Sequence, residues 1–103
     1  MTSTTSIQRG VLFLHARWSG PSIIAKQYLL GFLEERGVSG CLVCIDLDAE
    51  PEIYQVPEFS GKVHGWGEVA VVRDGSVVFF AALAKDPGRI RELCDELFRA
   101  FSA

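Results

Sequence analysis

The spacing of hydrophobic residues divides the first half of the chain into two strands and one helix. The apolar runs at residues 11–17 and 41–47 are short, and each is the length of a buried strand. Residues 20–36 predict a helix, because apolar side chains recur there about every four residues. Gly37 is a typical helix stop, since glycine readily adopts the left-handed backbone that ends many helices.

The second half of the chain predicts a short helix and a β-hairpin. Residues 51–56 have the pattern of a short helix. An irregular, glycine-containing connection follows over residues 57–67. The β-rich runs at 69–73 and 77–82 are joined by an Asp-Gly pair, which is a strong hairpin signal because both positions favour a left-handed turn.

The last segment predicts a second amphipathic helix. It begins at Asp86-Pro87, a helix cap followed by a proline that the first helical position tolerates. Its apolar stripe consists of Ile90, Leu93, Cys94, Leu97, Phe98 and Phe101. The element order is therefore βαβαββα. It predicts one α/β domain over residues 11–103, with a flexible N-terminus at 1–10 and a four-stranded mixed sheet covered by helices on both faces.

Composition narrows the function without identifying it. The chain has 103 residues, of which 49% are hydrophobic, enough for a single core. A net charge of −3 without a basic cluster argues against nucleic acid as a partner. The apolar runs are about half of the roughly 20 residues that a membrane span requires, and residues 1–6 lack the pattern of a secretory signal. Three cysteines, an odd number, favour free thiols and a cytoplasmic location.

The most informative motif is the run Trp18-Ser19-Gly20-Pro21-Ser22, which lies between the first strand and the first helix. Ser19 is well placed to cap the helix by accepting a hydrogen bond from the Ser22 backbone N–H. The run resembles the active-site turn of the thioredoxin family, in which cysteines occupy both serine positions. A serine hydroxyl cannot form a disulfide, so dithiol chemistry is lost at this motif.

The resemblance to thioredoxins covers roughly residues 11–102. It includes Ile45-Asp46-Leu47-Asp48 followed by Pro51, the Asp-Gly hairpin, and residues 82–85 before the last helix. It implies a thioredoxin-like fold whose N-terminal strand and helix are short or missing.

The family's other functional positions also differ in this chain. Phe13 replaces a buried aspartate, Cys44 replaces a lysine, and Gly67 falls at the cis-proline, where we expect a trans bond instead. The resemblance therefore implies a redox-inactive member of the family, not an enzyme, with no cofactor and no metal.

Thioredoxins bind extended peptide in a groove formed by three loops, and the resemblance carries that surface over to this chain. The candidate binding residues are Trp18, Ser19, Gly20, Pro21, Ser22, Gly65, Trp66, Gly67 and Ala81. Two tryptophans beside accessible backbone favour an interaction face, because tryptophan is enriched in binding hot spots. The predicted function is binding to another protein, as an adaptor, a maturation chaperone or an immunity-type inhibitor in the bacterial cytoplasm.

Two other functions stay open. The chain could be an assembly subunit that forms a homodimer through a sheet edge or the tryptophan face. It could also be a weak enzyme in which Ser19 works with His15 or His64, although no acid is clearly placed to orient a histidine.

The cysteines have a structural interpretation. Cys41 and Cys44 lie three residues apart in a predicted strand and should point to opposite faces, which excludes a shared metal. Both are expected to be core thiols, as is Cys94.

Overall fold

A computed structural model describes residues 9–55, 59 and 61–102. These residues form a small α/β structure with four strands, two α-helices and several short 3-10 turns. The strands are β1 (Arg9–His15), β2 (Leu42–Asp46), β3 (Glu68–Arg73) and β4 (Ser76–Ala82). The helices are α1 (Gly20–Glu35) and α2 (Ile90–Ser102). None of the described helices is both long and apolar enough to cross a membrane.

The sheet is mixed, as the sequence predicts, and its strands run in the order β2-β1-β3-β4. The strands β1 and β2 are parallel and are connected through α1, whereas β3 is antiparallel to both of its neighbours. Between β3 and β4, Asp74 and Gly75 have φ values of 53° and 78°. Two consecutive left-handed residues form the tight turn that suits the twist of a hairpin, so the Asp-Gly prediction is confirmed.

Both α-helices pack on the same face of the sheet. The core between the helices and the sheet contains Val11 and Phe13 of β1 and Val69 and Val71 of β3. The opposite face is covered by a 3-10 turn at Pro51–Gln55 and by the side chains of Phe59 and Val63. The short helix expected at 51–56 is therefore a 3-10 turn, and its predicted last residue lies outside the described part of the chain. Within the described residues, helical cover on the second face is limited to this turn, so the predicted helices on both faces are found as α-helices on one face only.

The first strand begins and ends two residues earlier than the sequence predicts. Arg9 pairs with Arg73 in the sheet, and its guanidinium donates to the Phe101 carbonyl oxygen at 2.8 Å. Arg9 and Gly10 therefore belong to the folded domain, and the predicted boundary of the flexible N-terminus at residue 10 is wrong. The expectation of a shortened N-terminal element falls on residues 1–8, which lie outside the described residues.

The second strand is also less buried than predicted. Because β2 is at the edge of the sheet, only Ile45 within it is fully buried, and Cys44 is exposed. Cys41 belongs to the 3-10 turn before the strand. Cys41 packs on the face of the sheet that the two α-helices cover. Cys44 is on the same face, because it pairs with Phe13 in the parallel register and Phe13 belongs to that core. The expectation that the two thiols point to opposite faces is therefore wrong. Among the described residues, no group of three metal-ligating side chains is close enough to hold an ion.

Candidate functional site

Ser19 begins α1 as its cap residue and also contacts a second loop. Its backbone is extended, with φ −107° and ψ 118°, and its Oγ accepts a hydrogen bond from the Ser22 N–H at 3.4 Å. The predicted cap is thus confirmed. The same hydroxyl donates to the Gly65 carbonyl oxygen at 2.6 Å. A hydroxyl can accept and donate at once, so Ser19 joins the turn before α1 to the loop before β3.

Ser22 forms the second polar link beneath the motif turn. Its Oγ accepts from the Ala16 N–H at 3.0 Å and lies 3.0 Å from Nδ1 of His15. This geometry is satisfied when the neutral imidazole accepts a hydrogen bond from the Ser22 hydroxyl through Nδ1. Burial lowers the pKa of His15, and the positive charge of Lys26 lowers it further. The neutral form therefore predominates at neutral pH.

The Ser22–His15 pair resembles a nucleophile and its base in distance, but its surroundings give it a structural role. Ser22 is fully buried, so a substrate cannot reach its hydroxyl in this conformation. The nearby carboxylate of Asp46 contacts Arg17 at 2.9 Å instead of orienting the imidazole. His64 lies elsewhere, with Nε2 at 3.0 Å from the Gly61 carbonyl oxygen. The hydrogen bond between the Ser22 and His15 side chains therefore links the end of β1 to the first turn of α1.

The loop before β3 is held by a buried carboxylate that sequence reasoning missed. Glu68 is completely buried, and its Oε2 accepts the backbone N–H groups of His64 at 3.1 Å and Trp66 at 3.2 Å. On the other side of the loop, Trp66 and Gly67 accept hydrogen bonds through their carbonyl oxygens from residues 83 and 84. The backbone that was expected to be accessible around Trp66 is therefore used within the protein.

Two glycines allow this loop to lie close to the motif. Gly65 has φ 81°, and a Cβ atom there would come within 2.7 Å of the Trp18 ring. Gly67 has φ 71°, and a Cβ atom there would overlap Ala25. The peptide bond before Gly67 is trans, as expected at the position where thioredoxins have a cis-proline. Close packing against α1 and the left-handed backbone both require glycine here.

An apolar surface forms where these elements meet. Trp18 is 65% exposed, Ile24 is 64% exposed and Trp66 is 39% exposed. Beside Trp66 lies a hollow of about 290 Å³, lined by Pro21, Ile24, Trp66, Ala84 and Ile90. We call Trp18, Pro21, Ile24 and Trp66 together the tryptophan surface. Large apolar side chains that remain exposed side by side are typical of binding surfaces.

The predicted binding residues divide into exposed and buried groups. Exposed are Trp18, Gly20, Pro21 and Trp66, whereas Ser19, Ser22, Gly65 and Gly67 are buried. The buried members hold the turn and the loop in place beneath the exposed ones. Ala81 is half-buried in β4, where it lines a different depression and does not contribute to the hollow beside Trp66.

The four-residue spacing of apolar side chains in α1 does not identify Ile24 as a surface residue. In the structure Ala25, Leu29 and Leu33 face the sheet, and Ile24 points outward. A signal was present in the sequence, since apolar residues continue around more than one face of this helix. That excess indicates a second contact surface.

Neither a family model nor a curated protein matches this chain.

Proposed function

We propose that the chain is a redox-inactive thioredoxin-like protein that binds another protein through the tryptophan surface. The fold part of this proposal is supported by the strand order β2-β1-β3-β4, with α1 connecting the parallel pair directly after the Trp-Ser-Gly-Pro-Ser turn. The thioredoxin resemblance implies a four-stranded mixed sheet, and this arrangement is compatible with it. The binding part depends chiefly on one observation, the 65% exposure of the Trp18 ring, which lies against Gly65, the residue before Trp66.

The first part of the proposal is that the motif turn carries out no dithiol chemistry. Both motif hydroxyls are engaged, Ser19 with Gly65 and Ser22 with His15. Neither oxygen can take part in disulfide exchange. The protein should not accelerate reduction of insulin disulfides by dithiothreitol, measured as turbidity against a sample without protein. Turnover above that background would contradict the proposal.

Restoring the motif cysteines is the complementary experiment. Ser19→Cys with Ser22→Cys should form a disulfide and still reduce insulin poorly. The positions occupied by Phe13, Cys44 and Gly67 would continue to lack the proton relay and the cis-proline of the family. Activity equal to a thioredoxin's would show that the loss depends on the two serines alone.

The second half of the function is recognition of a partner that presents an apolar side chain. The hollow beside Trp66, which Ile24 also lines, can receive such a side chain, and the exposed Trp18 ring adds apolar contact area on the turn before α1. Burying tryptophan in an interface contributes strongly to affinity, since a few aromatic residues supply most of the binding energy. Adaptors, maturation chaperones and immunity-type inhibitors all act through such a contact.

Trp18→Ala tests this surface. The partner is first isolated by cross-linking from cells that express the wild-type chain, and its affinity is then measured with purified proteins. We expect the variant to weaken binding by about 2 kcal/mol or more and to change the free energy of unfolding by about 1 kcal/mol or less. Its ring is mostly exposed, so removing it creates little cavity.

Tyr54→Ala is the matched control. Tyr54 is 40% exposed on the 3-10 turn that covers the opposite face of the sheet. This variant should leave the affinity unchanged. An equal loss of affinity in Trp18→Ala and Tyr54→Ala would exclude the tryptophan surface as the binding site. So would full binding by a variant in which Trp18 and Trp66 are both replaced by alanine.

Self-association through the same surface is the alternative that the geometry also supports. In that case the free chain would sediment as a dimer, and Trp18→Ala would convert it to a monomer. A weak Ser/His enzyme has less support, because Ser22 is buried beneath the turn. Three free cysteines support the cytoplasm as the site of action, since thiols persist in a reducing compartment.

A further inference from the structure

The strand β4 leaves one edge of the sheet unpaired in the described part of the chain. An unpaired edge presents a row of backbone N–H and C=O groups to which another strand can bind. Natural proteins usually protect such an edge with charged side chains or proline. β4, from Ser76 to Ala82, contains neither, and Val78 in its middle is 48% exposed. Its sequence and position are those of a strand that can accept a neighbour.

A depression of about 800 Å³ runs over the C-terminal half of this edge. Its floor is Phe80, Ala81 and Ala82. One wall comes from the loop before β3 and includes Lys62 and His64, and the other comes from the segment between β4 and α2 and includes Lys85, Asp86 and Arg89. The C-terminal half of β4 therefore lines a groove that these two segments also border, and an extended segment could lie in it.

The groove is positively charged, although the whole chain carries a net charge of −3. Lys62 and Lys85 form no salt bridge with a described carboxylate, and the Lys62 ammonium lies 5.9 Å from the centre of the Phe80 ring. The charge of Arg89 is already matched by Glu92 at 3.1 Å. The two lysines, one on each wall, thus face the space above the strand with one acid, Asp86, among the described lining residues.

We propose that β4 binds an extended acidic segment of a partner protein, which adds to the sheet as a fifth strand. Main-chain hydrogen bonds to β4 would hold the segment, and its acidic side chains would contact Lys62 and Lys85. A second copy of this chain fits the groove less well. Antiparallel pairing of β4 with itself would bring the basic walls of two copies together, and like charges oppose such an arrangement.

The probe is a fluorescein-labelled octapeptide of alternating valine and glutamate, and its binding is followed by fluorescence polarisation. We expect saturable binding that weakens at high salt, as for any contact between exposed charges. Hydrogen exchange should show new protection in the amides of residues 76–82. Lys62→Glu with Lys85→Glu should reduce the affinity by about tenfold or more.

Arg91→Glu with Arg99→Glu is the matched control, since it makes the same charge change at exposed positions of α2 outside the groove. It should bind the peptide as the wild type does, as should Trp18→Ala. Equal weakening in the control, equal binding of an alternating valine–lysine peptide, or protection confined to other strands would overturn the proposal. So would sedimentation of the free chain as a dimer whose β4 amides are already protected, because the groove would then belong to a second copy.

Discussion

The hydroxyl of Ser19 donates to the carbonyl oxygen of Gly65 at 2.6 Å, across 46 positions of sequence. This contact fixes the turn before α1 against the loop before β3, and both tryptophans belong to the two segments that it joins. The position that resembles a redox cysteine thus has a different physical role here. It caps α1 with one interaction and positions the tryptophan surface with the other.

Ser19→Ala should lower the free energy of unfolding by about 1–2 kcal/mol, because it removes both the helix cap and the bond to Gly65. Urea denaturation measures the change. Ser102→Ala, at the exposed end of α2, is the control and should have little effect.

Ser19→Asp separates the two contributions of this residue. An aspartate caps a helix well, but an ionised carboxylate cannot donate to the Gly65 carbonyl oxygen. We expect this variant to be no more stable than Ser19→Ala, because the retained cap is offset by a buried carboxylate held against the Gly65 carbonyl oxygen. Wild-type stability in Ser19→Asp would show that the bond to Gly65 contributes nothing.

Gly67→Ala should be among the most destabilising single changes in the chain. The new methyl group would overlap Ala25 of α1, and the backbone φ of 71° is strained for any other residue. We expect a loss of about 3 kcal/mol or more, as a combination of steric overlap and backbone strain.

Gly61→Ala is the matched control, with φ 73° and open space around the added atom. It should cost about 1–2 kcal/mol, the penalty of the left-handed backbone alone. Equal costs at the two sites in urea denaturation would show that the contact with α1 is unimportant.

The three cysteines should react at different rates in the native protein. Cys44 is exposed on the edge strand, whereas Cys94 is fully buried on the sheet-facing side of α2, and burial raises the pKa of Cys94 to about 11. Burial also raises the pKa of Cys44, so its thiolate stays scarce at neutral pH and its labelling should accelerate as the pH rises.

Labelling with a thiol reagent, followed by mass spectrometry, tests this order. We expect Cys44 first and Cys94 only after denaturant is added. Cys44→Ser should abolish the fast phase, whereas Cys41→Ser, at a half-buried position, should retain it. Rapid labelling of Cys94 in the native state would contradict the structure.

His15 should make the protein less stable in mild acid. Burial lowers its pKa in the folded state below the ordinary value of 6.5, so the unfolded chain binds the proton more readily. The stability is complete above pH of about 6.5 and decreases as the pH falls toward the folded-state pKa, because protonation then favours unfolding.

His15→Gln should reduce this slope between about pH 7.5 and about pH 5.5, the range in which histidine titrates. The glutamine carbonyl can still accept from the Ser22 hydroxyl without gaining a charge. An unchanged slope in His15→Gln would show that His15 is not the titrating group.

Several features could be predicted from the sequence because they depend on interactions between residues close together in the chain. The Asp-Gly turn, the Ser19 cap and the end of α1 near Gly37 each depend on residues within a few positions of one another, and the structure confirms all three. The apolar stripe of α2 was also correct in its buried residues Cys94, Leu97 and Phe101. For such features the backbone preferences and the hydrophobic period are sufficient evidence.

Other features depended on contacts between distant segments. Exposure of Cys44 follows from the position of β2 at the sheet edge, and periodicity does not specify the order of strands. In the same way, α1 is apolar on more than one face, so only packing against the sheet decided that Ala25 is buried and Ile24 exposed.

The sequence alone determined the elements, their order and the absence of cysteines from the turn at residues 18–22, since these follow from side-chain type and near neighbours. Only the tertiary structure decided that Ser19 meets Gly65, that Gly67 packs against Ala25 and that β4 lines a basic groove. The physical reason is that each of these arrangements is a long-range contact. Its partners are brought together by the burial of the whole core and not by any local preference.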